Sequence, residues 1–175
     1  MNLDTFLASR DIVAPRTDHP AVMTCEEADR WVPQLPGAKT KNLFLRDKKG
    51  ARHLLVSVPP ERAVDLNTLG TVLGVGRLGF ASAERLAKHL AITPGAVSLL
   101  ALFNDRERAV ELVIDRALWE APAIQAHPLT NTATVVLSHA DLERFLAATG
   151  HAPRIIDVPA TAGTSQAGLE SHSAR

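Results

Sequence analysis

Apolar and polar positions along the chain switch repeatedly between helical and strand spacing. Near the start, Leu3, Phe6 and Leu7 recur at helical intervals and predict a short amphipathic helix over 3–9. Thr24-Cys25-Glu26-Glu27 is a capping box, in which a threonine oxygen and a glutamate three residues on satisfy free amides of a first turn. It opens a helix toward Trp31 that stops near Pro33, and Pro36-Gly37 supplies a turn into a strand at Lys41. Residues 42–47 and 52–58 then alternate as a hairpin around Asp47-Lys48-Lys49-Gly50. Pro60-Glu61 predicts the start of a helix through Ala63, Leu66 and Leu69, and Ser82 caps a second over 83–90 with Leu86 and Leu90 on one face. Residues 97–103 and 110–114 read as strands around an Asn104-Asp105 turn, and 134–137 as another. Ser138-His139-Ala140-Asp141 opens a helix over 140–148 that Gly150 ends, and 154–158 makes a last strand.

Strands and helices interleave irregularly, with several hairpins and no internal repeat. That pattern predicts a single α/β domain of the mixed α+β kind: a mixed twisted β-sheet or partial barrel surrounded by helices. The domain spans 1–158. The remainder, 159–175, is rich in Ala, Ser, Thr and Gly and is expected to be a disordered tail.

Composition narrows the class. A chain of 175 residues with 46% hydrophobic and 22% charged content has the makings of an ordinary globular core. The single Cys25 excludes a disulfide within the chain and a thiolate-rich metal site. No apolar run has the length of a membrane span, and the acidic N-terminus lacks the basic start of a secretion signal, so the expected location is the cytoplasm. Net charge is zero, but Lys39, Lys41, Arg46, Lys48, Lys49 and Arg52 stand close together with only Asp47 among them. Such a patch can hold phosphates on a neutral molecule, or it is simply the solvated tip of a hairpin.

The chain carries no GxSxG elbow, no HExxH helix and no His or Cys cluster at metal-ligand spacing, which leaves serine-esterase and zinc chemistry without support. Cys25 sits in the first turn of a helix, but no histidine lies near it in sequence, and a packed apolar role fits better than a nucleophile. The densest chemistry is in Ala126-His127-Pro128-Leu129-Thr130-Asn131-Thr132-Ala133-Thr134, which runs directly into an apolar strand. Pro128 forces the residue before it into extended geometry, so His127 is held at a strand edge. Two other stretches stand out: Thr40-Lys41-Asn42-Leu43-Phe44-Leu45, and the Thr93-Pro94-Gly95-Ala96-Val97 turn before Ala101-Leu102-Phe103-Asn104-Asp105.

Together these three stretches resemble the motifs of the YbaK/ProX family, free-standing relatives of the editing domain of bacterial prolyl-tRNA synthetases. They fall in family order, the resemblance covers about residues 1 to 158, and the fit is best to the ProX branch. The resemblance implies a trans-editing deacylase that hydrolyses mischarged Ala-tRNAPro, working without cofactor or metal. Its partner is the acceptor end of tRNAPro, with prolyl-tRNA synthetase or an elongation factor as transient partners and no membrane. Lys41 matches the lysine required for deacylation, Gly95 the turn that frames the carbonyl and the attacking water, and His127 the histidine lining the aminoacyl pocket. Whether His127 is also the general base stays open. Many family members carry a proline four residues after the glycine, where this chain has Leu99.

Asn42, Ala96, Pro128, Asn131 and Thr132 are expected around the substrate. Asn131 and the hydroxyls of Thr130, Thr132 and Thr134 are expected to fix the His127 loop. Lys39, Arg46, Lys48, Lys49 and Arg52 are the expected tRNA contacts. Without the resemblance, each catalytic candidate has a plain reading: a strand-edge lysine in water, a β-turn glycine, a loop histidine bonded to backbone. His19, His53, His89, His139, His151 and His172 lack such a context and are expected at the surface. Two other functions remain open: a deacylase of the same family preferring cysteine or serine, and a non-catalytic module that binds tRNA or adenosine.

Overall fold

The expected hairpin forms between β2 (Lys41–Asp47) and β3 (His53–Val58), and its turn is closed by the Asp47 carboxylate, which accepts the N–H groups of Ala51 and Arg52. The computed structural model describes residues 1–162. Around the hairpin lie α1 (Leu3–Ser9), β1 (Arg16–Asp18), α2 (Cys25–Trp31), α3 (Leu66–Leu73), β4 (Leu78–Phe80) and α4 (Ala83–Leu90). They are followed by β5 (Val110–Asp115), α5 (Arg116–Trp119), β6 (Ala123–Ala126), β7 (Ala133–Ser138), α6 (His139–Thr149) and β8 (Arg154–Ile156).

The strands make two sheets, not one: a five-stranded sheet in the order β4-β2-β3-β5-β8 and a three-stranded sheet in the order β1-β7-β6. The larger is mixed, with β2 antiparallel to its neighbours and β3, β5 and β8 parallel. All six residues of β3 are buried, because both faces of the sheet are covered. One face, through Leu55, Leu112 and Ile114, packs on Leu90, Leu99, Leu137 and Phe145 in the main core. The other, through Leu54, Val56 and Val113, packs on Leu69 and Leu73 of α3. A strand buried on both faces reads as a continuous apolar run, as β3 does. Removing a fully buried leucine from such a core costs about 2–5 kcal/mol.

The two sheets are tied where the chain approaches β2. Ala38 donates its N–H to the Ala123 carbonyl at 2.8 Å and accepts the Gln125 N–H at 2.8 Å, a short parallel bridge to β6. Gly37 makes this approach possible: its φ is +93°, and a Cβ there would stand 3.0 Å from the Ala123 backbone. Past β1, the His19 N–H donates to the Thr132 carbonyl and the Val22 N–H to that of Asn131. The segment 19–23 is thereby laid along the loop between β6 and β7.

Several expectations are corrected. Residues 97–103 are not a strand. Leu99–Asn104 is a 3-10 helix whose first turn is capped by Ser98, with Leu99, Leu100, Ala101 and Leu102 all buried. A run apolar on every side carries no period by which to tell the two apart. Pro60 does not start a helix; 59–62 is a turn, and α3 begins after Asp65, whose side chain accepts from Thr68 N–H. The start of the expected tail is paired: Asp65 N–H donates to the Pro159 carbonyl and Thr161 N–H to that of Ala63. The remainder of that tail lies outside the described residues.

His19, His53 and His151 are buried, not at the surface. His151 donates across the core to Asp105, which also accepts the Val110 N–H. His172 lies outside the described residues. The His53 ring stacks on Phe44, with centroids 5.7 Å apart, and lies tilted against His89 at 4.1 Å, and its Nε2 accepts from Arg85 at 3.0 Å.

Burial holds the His53 imidazole below its ordinary value of 6.5, helped by the charges of His89 and Arg85. Burial and then Lys88 lower His89 in the same way. The unfolded chain therefore binds protons at these sites before the folded chain does, and stability is lost as pH falls below 6.5. Asp47 and Asp65 lie below the ordinary 3.8, through hydrogen bonds from Arg52 N–H and from Thr68 respectively, so their contribution is lost only in more acidic solution. The thermal midpoint should drop between about pH 7 and about pH 5.5, and a His53→Phe, His89→Gln double variant should flatten that drop. An unchanged slope in the double variant would show that other groups set it.

Candidate active site

A cavity of about 580 Å3 opens where β2, the end of β6, the turn at Gly95 and α2 converge. That volume suits a ligand larger than a single amino acid. β2 contributes Lys41 and Asn42, the first two residues of the strand. The Lys41 ammonium donates to the carbonyl of Arg62, which keeps one of its three N–H directions occupied and two for a ligand. Arg62 is itself fixed, donating to the Val158 carbonyl at 2.7 Å and lying 3.3 Å from the buried Asp115 carboxylate. Asn42 accepts the Ser57 hydroxyl on its Oδ1, so its amide N–H groups remain available.

Gly95 occupies the third position of a type II turn, with Pro94 before it, φ of +92° and Ala96 N–H returning to the Thr93 carbonyl at 3.1 Å. A Cβ at Gly95 would stand 2.9 Å from the end of the exposed Met23 side chain, which can swing aside, so it is the backbone conformation that favours glycine here. Among the described residues nothing accepts from the Gly95 N–H, which a ligand oxygen can therefore use.

His127 is held by its Nδ1, 2.9 Å from the Ala133 carbonyl across the loop it heads. Leu129 in that loop has φ of +64°, a left-handed conformation that costs a β-carbon residue about 1–2 kcal/mol. The loop is thus shaped by its closure and not by local preference.

Of the expected site residues, Lys39, Lys41, Asn42, Gly95 and His127 line this cavity, and Ala96, Pro128, Asn131 and Thr132 do not. Ala96 and Pro128 are buried behind it. The backbone carbonyls of Asn131 and Thr132 hold segment 19–23, and the Asn131 amide reaches the Met23 sulfur at 3.4 Å. Their contribution is to keep that segment in place.

The basic run also separates. Lys39 pairs with Asp29 of α2 at the cavity rim. Arg52 makes a two-pronged pair with Glu111, at 2.6 and 3.0 Å, which raises the affinity of its guanidinium for the proton. Arg46, Lys48 and Lys49 gather instead at the hairpin tip, where Arg85 joins them around an open cleft of about 390 Å3. Cys25 does line the cavity, in the first turn of α2. Leu99 faces the core, 1% exposed, so its departure from the family proline does not reach the cavity wall.

Two wall or support residues, Gln125 and His19, went unnoticed as functional in the sequence; Thr40 stood out only as part of the Lys41 stretch, and Thr134, expected to fix the His127 loop, bonds His19 and lines the cavity. Gln125 is buried, and its amide donates to the carbonyls of Leu35 and Gly37 at 3.1 and 3.2 Å. Thr40 donates its hydroxyl to the Gln125 carbonyl at 2.8 Å. None of these bonds leaves a local pattern, since each joins residues more than 80 positions apart.

Residues 19–145 match the aminoacyl-tRNA editing domain, and the chain belongs to that family. It is 40% identical over 141 residues to the prolyl-tRNA editing protein ProX of Acetoanaerobium sticklandii, which spans 81% of this chain and 86% of the relative. It is 42% identical over 156 residues to prolyl-tRNA synthetase associated domain-containing protein 1 of Danio rerio, across 88% of this chain and 84% of that protein. A solved structure assigned as a candidate trans-editing enzyme for prolyl tRNA synthetase shares the fold, with TM-score 0.66 and 22% identity over 89% of this chain and 93% of that one. The chain is an aminoacyl-tRNA hydrolase, and the cavity described above is its candidate active site. Among the described residues no helix is long and apolar enough to cross a membrane.

Gly95→Ala tests the turn directly. It forces a β-carbon into a positive-φ position, a strain of about 1–2 kcal/mol in the turn. Deacylation should fall by roughly tenfold or more while the folded core is retained. Wild-type turnover in this variant would remove the turn from the catalytic apparatus.

Proposed function

We propose that this protein is a trans-editing deacylase of Ala-tRNAPro, releasing free alanine and tRNAPro. The observation that carries this reading is the meeting of Lys41, Gly95 and His127 on one cavity, in a chain closely related to prolyl-tRNA editing proteins. Water adds to the ester carbonyl and gives up a proton, and the carbonyl oxygen becomes anionic as the tetrahedral intermediate forms. The bond to the ribose oxygen then breaks as the carbonyl re-forms, and the ribose oxygen takes up a proton that balances the one lost by the water. Lys41 and the Gly95 N–H are the donors available to the developing oxyanion, a kind of stabilisation worth about 10²–10³ in rate for a single donor. Thr134 is the wall hydroxyl that meets an imidazole, 3.0 Å from His19 Nε2; we read that pair as orienting the hydroxyl, with water as the attacking group.

Val22, Val32, Leu35 and Ala126 give the cavity apolar wall suited to a methyl side chain. His127, fixed through Ala133 and backed by Pro128, forms a rigid edge against which the larger proline ring is excluded. Asn42 lies within the same cavity and serves the ribose or the ester. The rest of the tRNA meets the basic groups. Lys39 stands at the rim, while Arg46, Lys48 and Lys49 at the hairpin tip are placed for backbone phosphates; Arg52 contributes least, because Glu111 neutralises it. The reaction belongs where tRNA is charged, in the cytoplasm, with prolyl-tRNA synthetase or an elongation factor as the neighbours that hand over or compete for the substrate.

The deciding assay compares Ala-, Cys-, Ser- and Pro-tRNAPro side by side. Wild type should clear alanine fastest and spare proline, and Lys41→Ala should remove about 10²-fold or more of the alanine activity without loss of fold. Faster release of cysteine or serine would reassign the substrate. Near-wild-type turnover in Lys41→Ala would overturn the catalytic role of the lysine.

A further inference from the structure

We propose that Thr134, oriented by His19, and the Nε2 atom of His127 form a subsite for the α-ammonium group of the aminoacyl ester. This rests on the deacylase reading and adds to it how the substrate is turned within the cavity. The inference follows from which atoms can donate. A backbone carbonyl only accepts, so the His127 nitrogen that lies 2.9 Å from the Ala133 carbonyl, Nδ1, carries the hydrogen. In the neutral ring Nε2 is then a bare acceptor, on a side chain that lines the cavity.

His19 obeys the same logic one step removed. Its Nδ1 lies 2.8 Å from the Pro20 carbonyl and therefore donates, which makes Nε2 the acceptor. Thr134 Oγ1 stands 3.0 Å from that Nε2, so the hydroxyl spends its single hydrogen on His19. The remaining lone pairs of Thr134 belong to a residue on the cavity wall and can only accept. The His19 and His127 ring centroids lie 6.3 Å apart, and Thr134, bonded to the first, shares the cavity wall with His127.

The polar side chains that β2 contributes have the opposite character. Lys41 is a cation, and Asn42 has committed its oxygen to Ser57 and offers N–H groups. Asp29, the carboxylate among the lining residues, is taken up by Lys39. An aminoacyl ester carries one strong donor, its ammonium, and several acceptors in the carbonyl, ribose and phosphate. A single orientation matches both: ammonium toward Thr134 and His127, carbonyl and ribose toward Lys41 and Asn42. Repulsion between the two ammonium groups disfavours the reverse. His19 acts here as a positioning residue, because it fixes the direction of the Thr134 hydroxyl and does not itself reach the ligand.

The test compares Ala-tRNAPro with lactyl-tRNAPro, an ester of the same size in which a neutral hydroxyl replaces the ammonium. The readout is the ratio of kcat/KM for the two substrates, measured in the full chain. Comparing variants by this ratio cancels the different intrinsic lability of the esters and any general loss of active protein. Thr134→Val, which keeps the shape and removes the oxygen, should lower the ratio by roughly tenfold, as expected for a hydrogen bond to a charged group. His19→Phe should lower it in the same direction, and Thr134→Ser should hold it near the wild-type value. An unchanged ratio in Thr134→Val, or a wild-type ratio no greater than that of the spontaneous hydrolysis rates, would overturn the subsite. If Thr134→Val fails to fold, the wild-type ratio and the response of His19→Phe still decide. A wild-type protein that leaves both esters at their spontaneous rates would overturn the deacylase reading itself, an outcome distinct from loss of selectivity.

Discussion

The site depends on how the small sheet is fastened to the large one. Lys41 begins a strand of one sheet and His127 follows a strand of the other, and they meet only because residues 37–40 run beside β6 on their way into β2. Two hydrogen bonds at Ala38, the glycine that permits the close approach, and the buried amide of Gln125 make up that fastening. A buried amide that lost its partners would cost about 1–3 kcal/mol, so Gln125 with carbonyls on both ends of its reach is a strong constraint on the path of 35–37. The carbonyl of the same residue takes the Thr40 hydroxyl, which sets the chain one residue before Lys41. The position of Lys41 is therefore a tertiary property, assembled from residues of both sheets.

Much of the architecture was legible because it is written in local chemistry. The capping residues Thr24, Ser82 and Ser138 each accept from the amide three residues on, as their sequence context predicts. The hairpin was visible from alternation and from Asp47-Lys48-Lys49-Gly50. What escaped were β1, β4 and β6, each of three or four residues, too short to show a period. The buried 3-10 segment escaped for the opposite reason, being apolar throughout. The motif residues Lys41, Gly95 and His127 were found through resemblance, and nothing in their spacing alone would have brought them together. Ala96, Pro128, Asn131 and Thr132 were placed with the ligand because they neighbour those residues in sequence. Adjacency along the chain does not decide which side of a loop faces the cavity. The basic run is not one patch in space: Lys39 and Lys41 lie at the cavity, Arg46, Lys48 and Lys49 share the hairpin-tip cleft, and Lys39 and Arg52 are paired with Asp29 and Glu111.

The cavity's chemistry is set as much by hydrogen bonds away from the ligand as by the groups that face it. Lys41 is held by the Arg62 carbonyl, whose loop is anchored on buried Asp115. Asn42 is turned by Ser57, His127 by Ala133 and Thr134 by His19. Each such bond removes one donor or acceptor from a bifunctional side chain and leaves the other for the substrate. The result is a wall with donors on β2 and acceptors at the end of β6 and on β7, organised before any ligand arrives. Preorganised polar groups of this kind stabilise charge that develops during reaction without the cost of reorienting solvent. Leu129, strained in the loop that carries His127, fits a site where the fold overrides local preference.

The central claim is that this cavity holds the aminoacyl end of the substrate with its carbonyl toward Lys41. The most direct measurement is a crystal structure of the protein with an alanyl-adenosine analogue in which a stable amide replaces the ester. The account predicts the alanyl group between β2 and the His127 loop, its carbonyl oxygen in hydrogen-bond reach of Lys41 Nζ or the Gly95 N–H. An analogue seated at the hairpin-tip cleft, or a cavity left vacant at saturating analogue, would contradict it.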